Sequence, residues 1–270
     1  MLKTRPGFTL AETVVALTLT AVIGAAVTGV FISQSQFFDQ QEKVGFARGV
    51  SRGAMNIMFS EMRMVESDSG VVAVAEDSVT LRIPFAMGVV CGNAGALTVS
   101  LLPADSFMVA NAGYSGYAYL EPDGDYTYVA STTRALGLAA TCTAAGILSI
   151  DADSGGAVVS LLPTDGDADV GAPVLLYQVV TYKFAPIDGQ RGLFRRVHEV
   201  HAADDPEPLV WPFNDTARFR FYVNSDTSML TATPADVIGF ELVLDGVSER
   251  PNSDGTYQVV PLRTSVFFKN

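Results

Sequence analysis

From Phe8 to Ser33 the chain is an almost unbroken apolar run that carries one charge, Glu12. Within it, Thr13 to Ser33 supplies 21 consecutive uncharged residues. At about 1.5 Å per residue, a helix of that length crosses the roughly 30 Å hydrocarbon layer of a bilayer. The rest of the fold must therefore hang from a membrane helix. Ahead of the run, Met1–Gly7 is a short head with Lys3 and Arg5. That placement predicts a cytoplasmic N-terminus, a single membrane span and an exported remainder. A secretory signal would have a shorter apolar stretch of about 7–15 residues followed by a small-residue cleavage site. Here the run is too long and no clear site of that kind follows. A plain signal anchor fits the length but does not account for Glu12. A carboxylate near the start of a membrane helix is costly unless paired, so it points to a function. It is also a favourable charge at a helix N-terminus, and the two readings are compatible.

The residues Gly7-Phe8-Thr9-Leu10-Ala11-Glu12 resemble the class III leader junction of type IV pilins and type II secretion pseudopilins. The resemblance implies residues 1–7 as leader and cleavage by a prepilin peptidase between Gly7 and Phe8. Phe8 would become the N-methylated terminus, and Glu12 the glutamate that sets filament register by meeting the terminal amine of a neighbouring subunit. It implies residues 8–33 as the membrane and filament-core helix, and an assembly platform with its ATPase as partners. After withdrawal from the inner membrane, the head would pass from the periplasm to the pilus or cell surface. Two positions depart from the pattern of many major pilins: Gly29 stands where they carry proline, and Ala21 where they carry glycine.

Residues 34–67 keep a helical pattern but become amphipathic. Ala47, Val50, Ala54, Met58, Met62 and Val65 recur at three- and four-residue steps, with Arg48, Arg52, Arg63 and Glu66 on other faces. Gly45, Gly49 and Gly53 form a stripe, read either as a groove for another backbone or, preferably, as a weak helical face covered by the chain's own sheet. A continuous helix from Phe8 to Ser67 would be about 90 Å long.

Beyond it, residues 68–270 read as a β-rich head. Strands are expected at 71–75, 79–85, 96–102, 107–110, 117–120, 158–162, 174–184, 193–200, 218–223, 237–244 and 257–268. In the 218–223 segment Phe219, Phe221 and Val223 alternate with Arg218, Arg220 and Tyr222. Val99–Asp105 and Val159–Asp165 are near copies, each read as a strand stopped by proline and an Asp turn within an insertion at about 88–172. The fold class expected is α+β, a long helix packed on a β-rich head. The segments at Tyr182–Phe184, Gly192–Arg196, 219–223, 237–244 and 257–270 are similar to the larger W-type minor pilins and J-type minor pseudopilins. Those chains usually end in Leu-Arg-Asn; this one ends in Phe268-Lys269-Asn270. The stretch Met55–Val65, with Glu61 and Arg63, is similar to their post-anchor helix.

A formal net charge of −12 argues against nucleic acid as a partner, because phosphate recognition needs clustered cations. Cys91 and Cys142 are the two cysteines. In an exported chain a disulfide between them is favoured over two buried thiols, and it would contribute roughly 2–4 kcal/mol. His198 and His201 are three apart, so on a strand they point to opposite faces and do not share a metal. Asp165, Asp167 and Asp169 faintly resemble a calcium loop, but the sixth-position glycine and the twelfth-position glutamate are missing, and a solvated acidic loop is the better reading. Glu121–Asp125 is a turn sequence. Nucleophile-elbow, P-loop and dinucleotide motifs are absent, so no cofactor, metal or enzymatic activity is expected.

The expectation is a minor type IV pilin-like subunit that assembles into, or primes, a pilus with other pilin subunits. A secretion pseudopilin or major pilin is the neighbouring alternative. A signal-anchored exported adhesion or ligand-binding domain that forms no filament is the alternative of another class. An anchored hydrolase would need a nucleophile and base converging in the head.

Overall fold

The computed structural model describes residues 9–67, 69–93, 95–112, 114–121, 124–131, 133–137, 157–163, 168–198, 206–223 and 227–268. The class is α+β, with one long apolar N-terminal helix and a large antiparallel sheet domain. Helix α1 runs through 53 residues, Leu10–Met62, which is about 80 Å. Thr9 caps it in a reciprocal capping box with Glu12.

The helix was expected to reach Ser67 and stops at Met62. There the bonds tighten to three-residue steps, Met64 N–H to Glu61 O at 3.0 Å and Val65 N–H to Met62 O at 3.2 Å. The tightening turns Val65 into the core, where it is 1% exposed. Gly70 then lets the chain double back, because a Cβ there would stand 2.4 Å from Glu66 O.

Among the described residues, twelve strands form one sheet. Its spine is two 15-residue strands, β2 (Ser78–Gly92) and β8 (Pro173–Ile187), antiparallel from Ser78↔Lys183 to Val89↔Pro173 with one bulge near Phe85. On the far side of β2 lie β1 (Val71–Ala75) and β3 (Leu97–Leu101), and then β7 (Ala157–Leu162) and β6 (Thr133–Gly137). The hairpin β4 (Gly116–Leu120) and β5 (Tyr126–Ala130) pairs with β8 through β4. Beyond β8 come β9 (Gln190–His198), β10 (Glu207–Phe213), β14 (Gly246–Pro251) and β15 (Tyr257–Val260). A four-stranded sheet holds β12 (Ser228–Met229), β11 (Arg218–Tyr222), β13 (Gly239–Val243) and β16 (Arg263–Phe267), in that order.

The core is double. One cluster joins the buried stripe of α1 to the Val79–Ile83 half of β2, the Val180–Phe184 half of β8, and Phe219, Phe221, Phe240, Leu242 and Val266. The other lies between residues 86 and 176, around Val99, Leu101, Tyr117, Val159 and Leu176. The two near-repeats meet inside this second cluster: β3 pairs with β7 so that Val99 faces Val159 and Leu97 faces Leu161.

The segment expected as a strand at 107–110 belongs instead to helix α2 (Pro103–Asn111). Pro103 sits in the first turn, where the missing N–H costs nothing, and Ser106 Oγ donates to Leu102 O at 2.9 Å. The repeat read as a strand ending is therefore a strand followed by a helix start in its first copy. The alternation in β11 matches the expected faces: Phe219 and Phe221 are buried, while Arg218, Arg220 and Tyr222 are half-buried. Strands β5, β6, β10, β12 and β14 were not expected, and the 257–268 segment divides into β15 and β16.

Candidate functional site: the N-terminal helix and its seat on the head

Helix α1 divides at Ala47. From Leu10 to Phe46 every residue is exposed except Lys43 and Val44, which are half-buried; from Ala47 onward a stripe is buried through Val50, Ser51, Ala54, Met58 and Met62. The exposed part is long and apolar enough to cross a membrane, with a mean hydropathy of 2.2 over its best window. Its threonine hydroxyls are absorbed by the helix itself. Thr13, Thr18, Thr20 and Thr28 donate to Thr9 O, Val15 O, Ala16 O and Gly24 O at 2.8–3.1 Å. Such bonds let threonines sit in a medium without water.

Glu12 lies at the start of this segment. Its Oε2 accepts from the Thr9 backbone N–H and from Thr9 Oγ1, each at 2.9 Å, and the Glu12 N–H donates to Thr9 Oγ1 at 3.3 Å. Gly7 and Phe8 lie outside the described residues. Past the apolar span, Phe37 and Phe38 are 57% and 68% exposed on a polar stretch of helix.

The seat of α1 on the head uses residues that the hydrophobic pattern only half reveals. Ala47, Val50, Ala54, Met58, Met62 and Val65 are all buried. Between them Ser51 is 1% exposed and bonds the head backbone. Its Oγ donates to Leu244 O at 2.8 Å and accepts from the Gly246 N–H at 3.0 Å. A Cβ on Gly246 would stand 2.2 Å from Ala47 O and 2.5 Å from Ser51 Oγ, so the start of β14 touches the helix backbone. At the other end of the seat, Glu61 meets Arg195 and Tyr182. Tyr182 is fully buried and its hydroxyl donates to Glu61 Oε2. Burial, and then the Glu61 charge, raise the Tyr182 pKa well above the usual phenol range. Burial alone would lower the Arg195 pKa, but the Glu61 carboxylate outweighs it and the net shift is upward. Tyr182 thus stays a neutral donor and Arg195 stays charged. Ser51 escaped notice because a serine in a helical stripe reads as surface, and Tyr182 because nothing local links it to a residue 121 positions earlier.

The glycine stripe is not covered by the sheet, contrary to the preferred expectation. Gly45 and Gly49 are exposed with open space where a Cβ would stand, and Gly53 approaches only Val210, at 3.9 Å. The helical period places them off the Ala47–Met58 stripe that faces the head.

Among the remaining candidates, Cys91 on β2 is disulfide-bonded, and Cys142 lies outside the described residues, as do His201, Asp165 and Asp167. Asp169 is exposed at a turn, where its carbonyl accepts from the Ala172 N–H at 3.0 Å. Among the described residues no group of three His, Cys, Asp or Glu is placed to hold a metal. His198 shares its Nε2 with Thr181 Oγ1 at 2.7 Å. Glu121–Asp125 closes a turn with the Glu121 N–H donating to Asp125 O at 2.8 Å, and Gly124 takes a positive φ of 99°.

Comparison with known protein families, curated proteins and solved structures finds no match to the chain.

Proposed function

We propose that the chain is a minor type IV pilin-like subunit, cleaved between Gly7 and Phe8 and assembled through α1 with other pilin subunits. The observation that carries this reading is the division of one continuous helix. Its residues 10–33 are apolar on every side with a single carboxylate, Glu12, at their start, and its second half is fixed to the head at Ser51 and Glu61. A surface apolar all round must lie in lipid or against other apolar helices. In either place Glu12 needs a cationic partner once the Thr9 bonds no longer suffice. A terminal amine on a neighbour's Phe8 supplies one, at the cost of fixing the axial step between subunits. Leader removal makes that amine, so processing and assembly share one chemical step. Moving the same apolar surface from lipid into a bundle gains little by itself, so assembly needs an external motor, for which the resemblance supplies a platform and an ATPase. The head is periplasmic before assembly in this account.

The test is Glu12→Ala in cells that carry the assembly machinery. The reading expects normal membrane insertion with loss of the chain from the sheared filament fraction. Retention in that fraction at wild-type level contradicts it.

A further inference from the structure

The main sheet has a face turned away from α1; the β4–β5 hairpin packs on it near Arg82 through Tyr128, and Lys183 on β8 is exposed. Cross-strand pairing sets what shares it. Lys183 stands between Ser78 and Phe194, Arg196 stands beside Thr181 and Thr80, and His198 stands beside Val179 and Arg82. All of these are half-buried or exposed, whereas Val180, Tyr182 and Phe184 on the opposite face are buried. Among the described residues no carboxylate stands in those paired positions, the nearest in sequence being Asp77, whose Oδ1 accepts from Ser78 Oγ at 3.2 Å; the chain as a whole holds 29 acidic residues against 17 basic ones. Lys183 and Arg196 have no carboxylate within ion-pair distance among the described residues, and Arg196 Nε is buried without a hydrogen-bond partner. Arg82 is partly occupied, stacked 5.0 Å over Tyr128 with its guanidinium donating to Ser69 O. A hydrogen-bonded line joins Thr80 to Thr181 and Thr181 to His198, each step 2.7 Å. At the margin Trp211, 44% exposed, crosses Gly192 beside Phe194: a Cβ on Gly192 would stand 3.4 Å from Trp211 Cβ and 3.6 Å from Phe194 Cε2.

We propose that this face, centred on Lys183, Arg196 and Trp211, binds an acidic polysaccharide. Unpaired cations on an acidic protein call for an anionic partner, and carboxylates are what a guanidinium and an ammonium hold best. The exposed indole beside them offers a flat apolar surface to the C–H face of a sugar ring, with hydroxyls and an imidazole for its polar edge. Lys183 on β8 and Trp211 on β10 are exposed on different strands, which suits a polymer lying across the sheet. Nucleic acid is the weaker partner because its recognition needs more clustered cations than this face supplies on a chain of net charge −12. An acidic polypeptide would satisfy the cations but leave Trp211 without use. The proposal does not depend on whether the chain enters a filament.

Full-length protein in detergent micelles, titrated with polygalacturonate, tests it, with dextran, poly-glutamate and single-stranded DNA as comparison polymers. The expected result is salt-sensitive binding of polygalacturonate, none of dextran, and poly-glutamate and DNA weaker by about tenfold or more. Lys183→Glu with Arg196→Glu, and separately Trp211→Ala, each weaken the uronate polymer by about tenfold or more. Lys183→Glu alone, at an exposed strand position, gives the same direction should the double variant fail to fold, and thermal unfolding identifies that failure. Absence of polygalacturonate binding, equal binding of poly-glutamate or DNA, or indifference to the charge reversals overturns the proposal.

Discussion

Arg195 of β9 holds Glu61 of α1 through two nitrogens, Nη2 at 3.0 Å from Oε1 and Nε at 3.3 Å from Oε2. Tyr182 donates to the same carboxylate from β8. This fork pins the last turn of the helix across two strands, on side chains only 21% and 23% exposed. A two-pronged contact resists rotation of the helix as well as separation, so it defines the angle at which the apolar half leaves the head.

Arg195→Gln leaves the Glu61 carboxylate half-buried with only Tyr182 to satisfy it. We expect a loss of about 1–3 kcal/mol, read by denaturant unfolding of the full chain in micelles. In a double-mutant cycle with Glu61→Gln the two losses should be less than additive, because each variant removes the same pair. Additive losses would mean that the fork contributes little.

Gly246→Ala and Gly49→Ala should move stability in opposite directions. At Gly246 the added methyl meets helix backbone at 2.2 Å, which nothing flexible can relieve, and a loss of about 1–3 kcal/mol is expected. At Gly49 the space is open, and alanine in an exposed helix should gain about 0.5–1 kcal/mol. Thermal unfolding of the two variants checks both signs.

Val99 and Val159 face each other in the second core, both fully buried. Either valine to alanine should cost about 1–3 kcal/mol. Because one cavity serves both, the double variant should depart from additivity by about 0.5 kcal/mol or more. Strict additivity in denaturant unfolding would mean that the repeats do not pack on one another.

Stability should fall with mild acid through His198. Burial, and then the positive charge of Arg196, hold its pKa below the ordinary 6.5. Below that value the unfolded chain takes up a proton that the folded chain refuses, so stability is lost as pH falls from 6.5 toward the folded pKa. Asp254 acts elsewhere on the scale. Its bonds from Thr256 lower its pKa below the ordinary 3.8, so its contribution is present above that value and lost in stronger acid. His198→Gln should flatten the melting temperature between about pH 7 and about pH 5. An unchanged slope would remove His198 as the cause.

The sequence disclosed the parts of this fold whose signal is local. The apolar span and the buried helical stripe follow from periodicity, and the alternation of Phe219 and Phe221 identifies one strand face. Helix α2 was hidden because Phe107–Ala110 is short, apolar and flanked by turn residues, so only Pro103 as a helix start could have given it away. Strand β10 carries Pro208 and Pro212, which demote it by any strand pattern. The fork at Glu61, the Ser51–Gly246 contact and the Val99–Val159 pairing were unreadable for another reason. Each joins segments far apart in the chain, and single-chain patterns say which face is buried, not what covers it. The glycine stripe shows that limit: the spacing was plain, but which way it faced depended on the packing of Ala47 and Ser51.

The central claim is that Glu12 meets a terminal amine created at Phe8. Mass spectrometry of the N-terminal peptide from the mature membrane-bound protein tests it most directly. The account predicts a chain that begins at Phe8 with a methylated amine. A mature chain that begins at Met1, or at any residue other than Phe8, contradicts it.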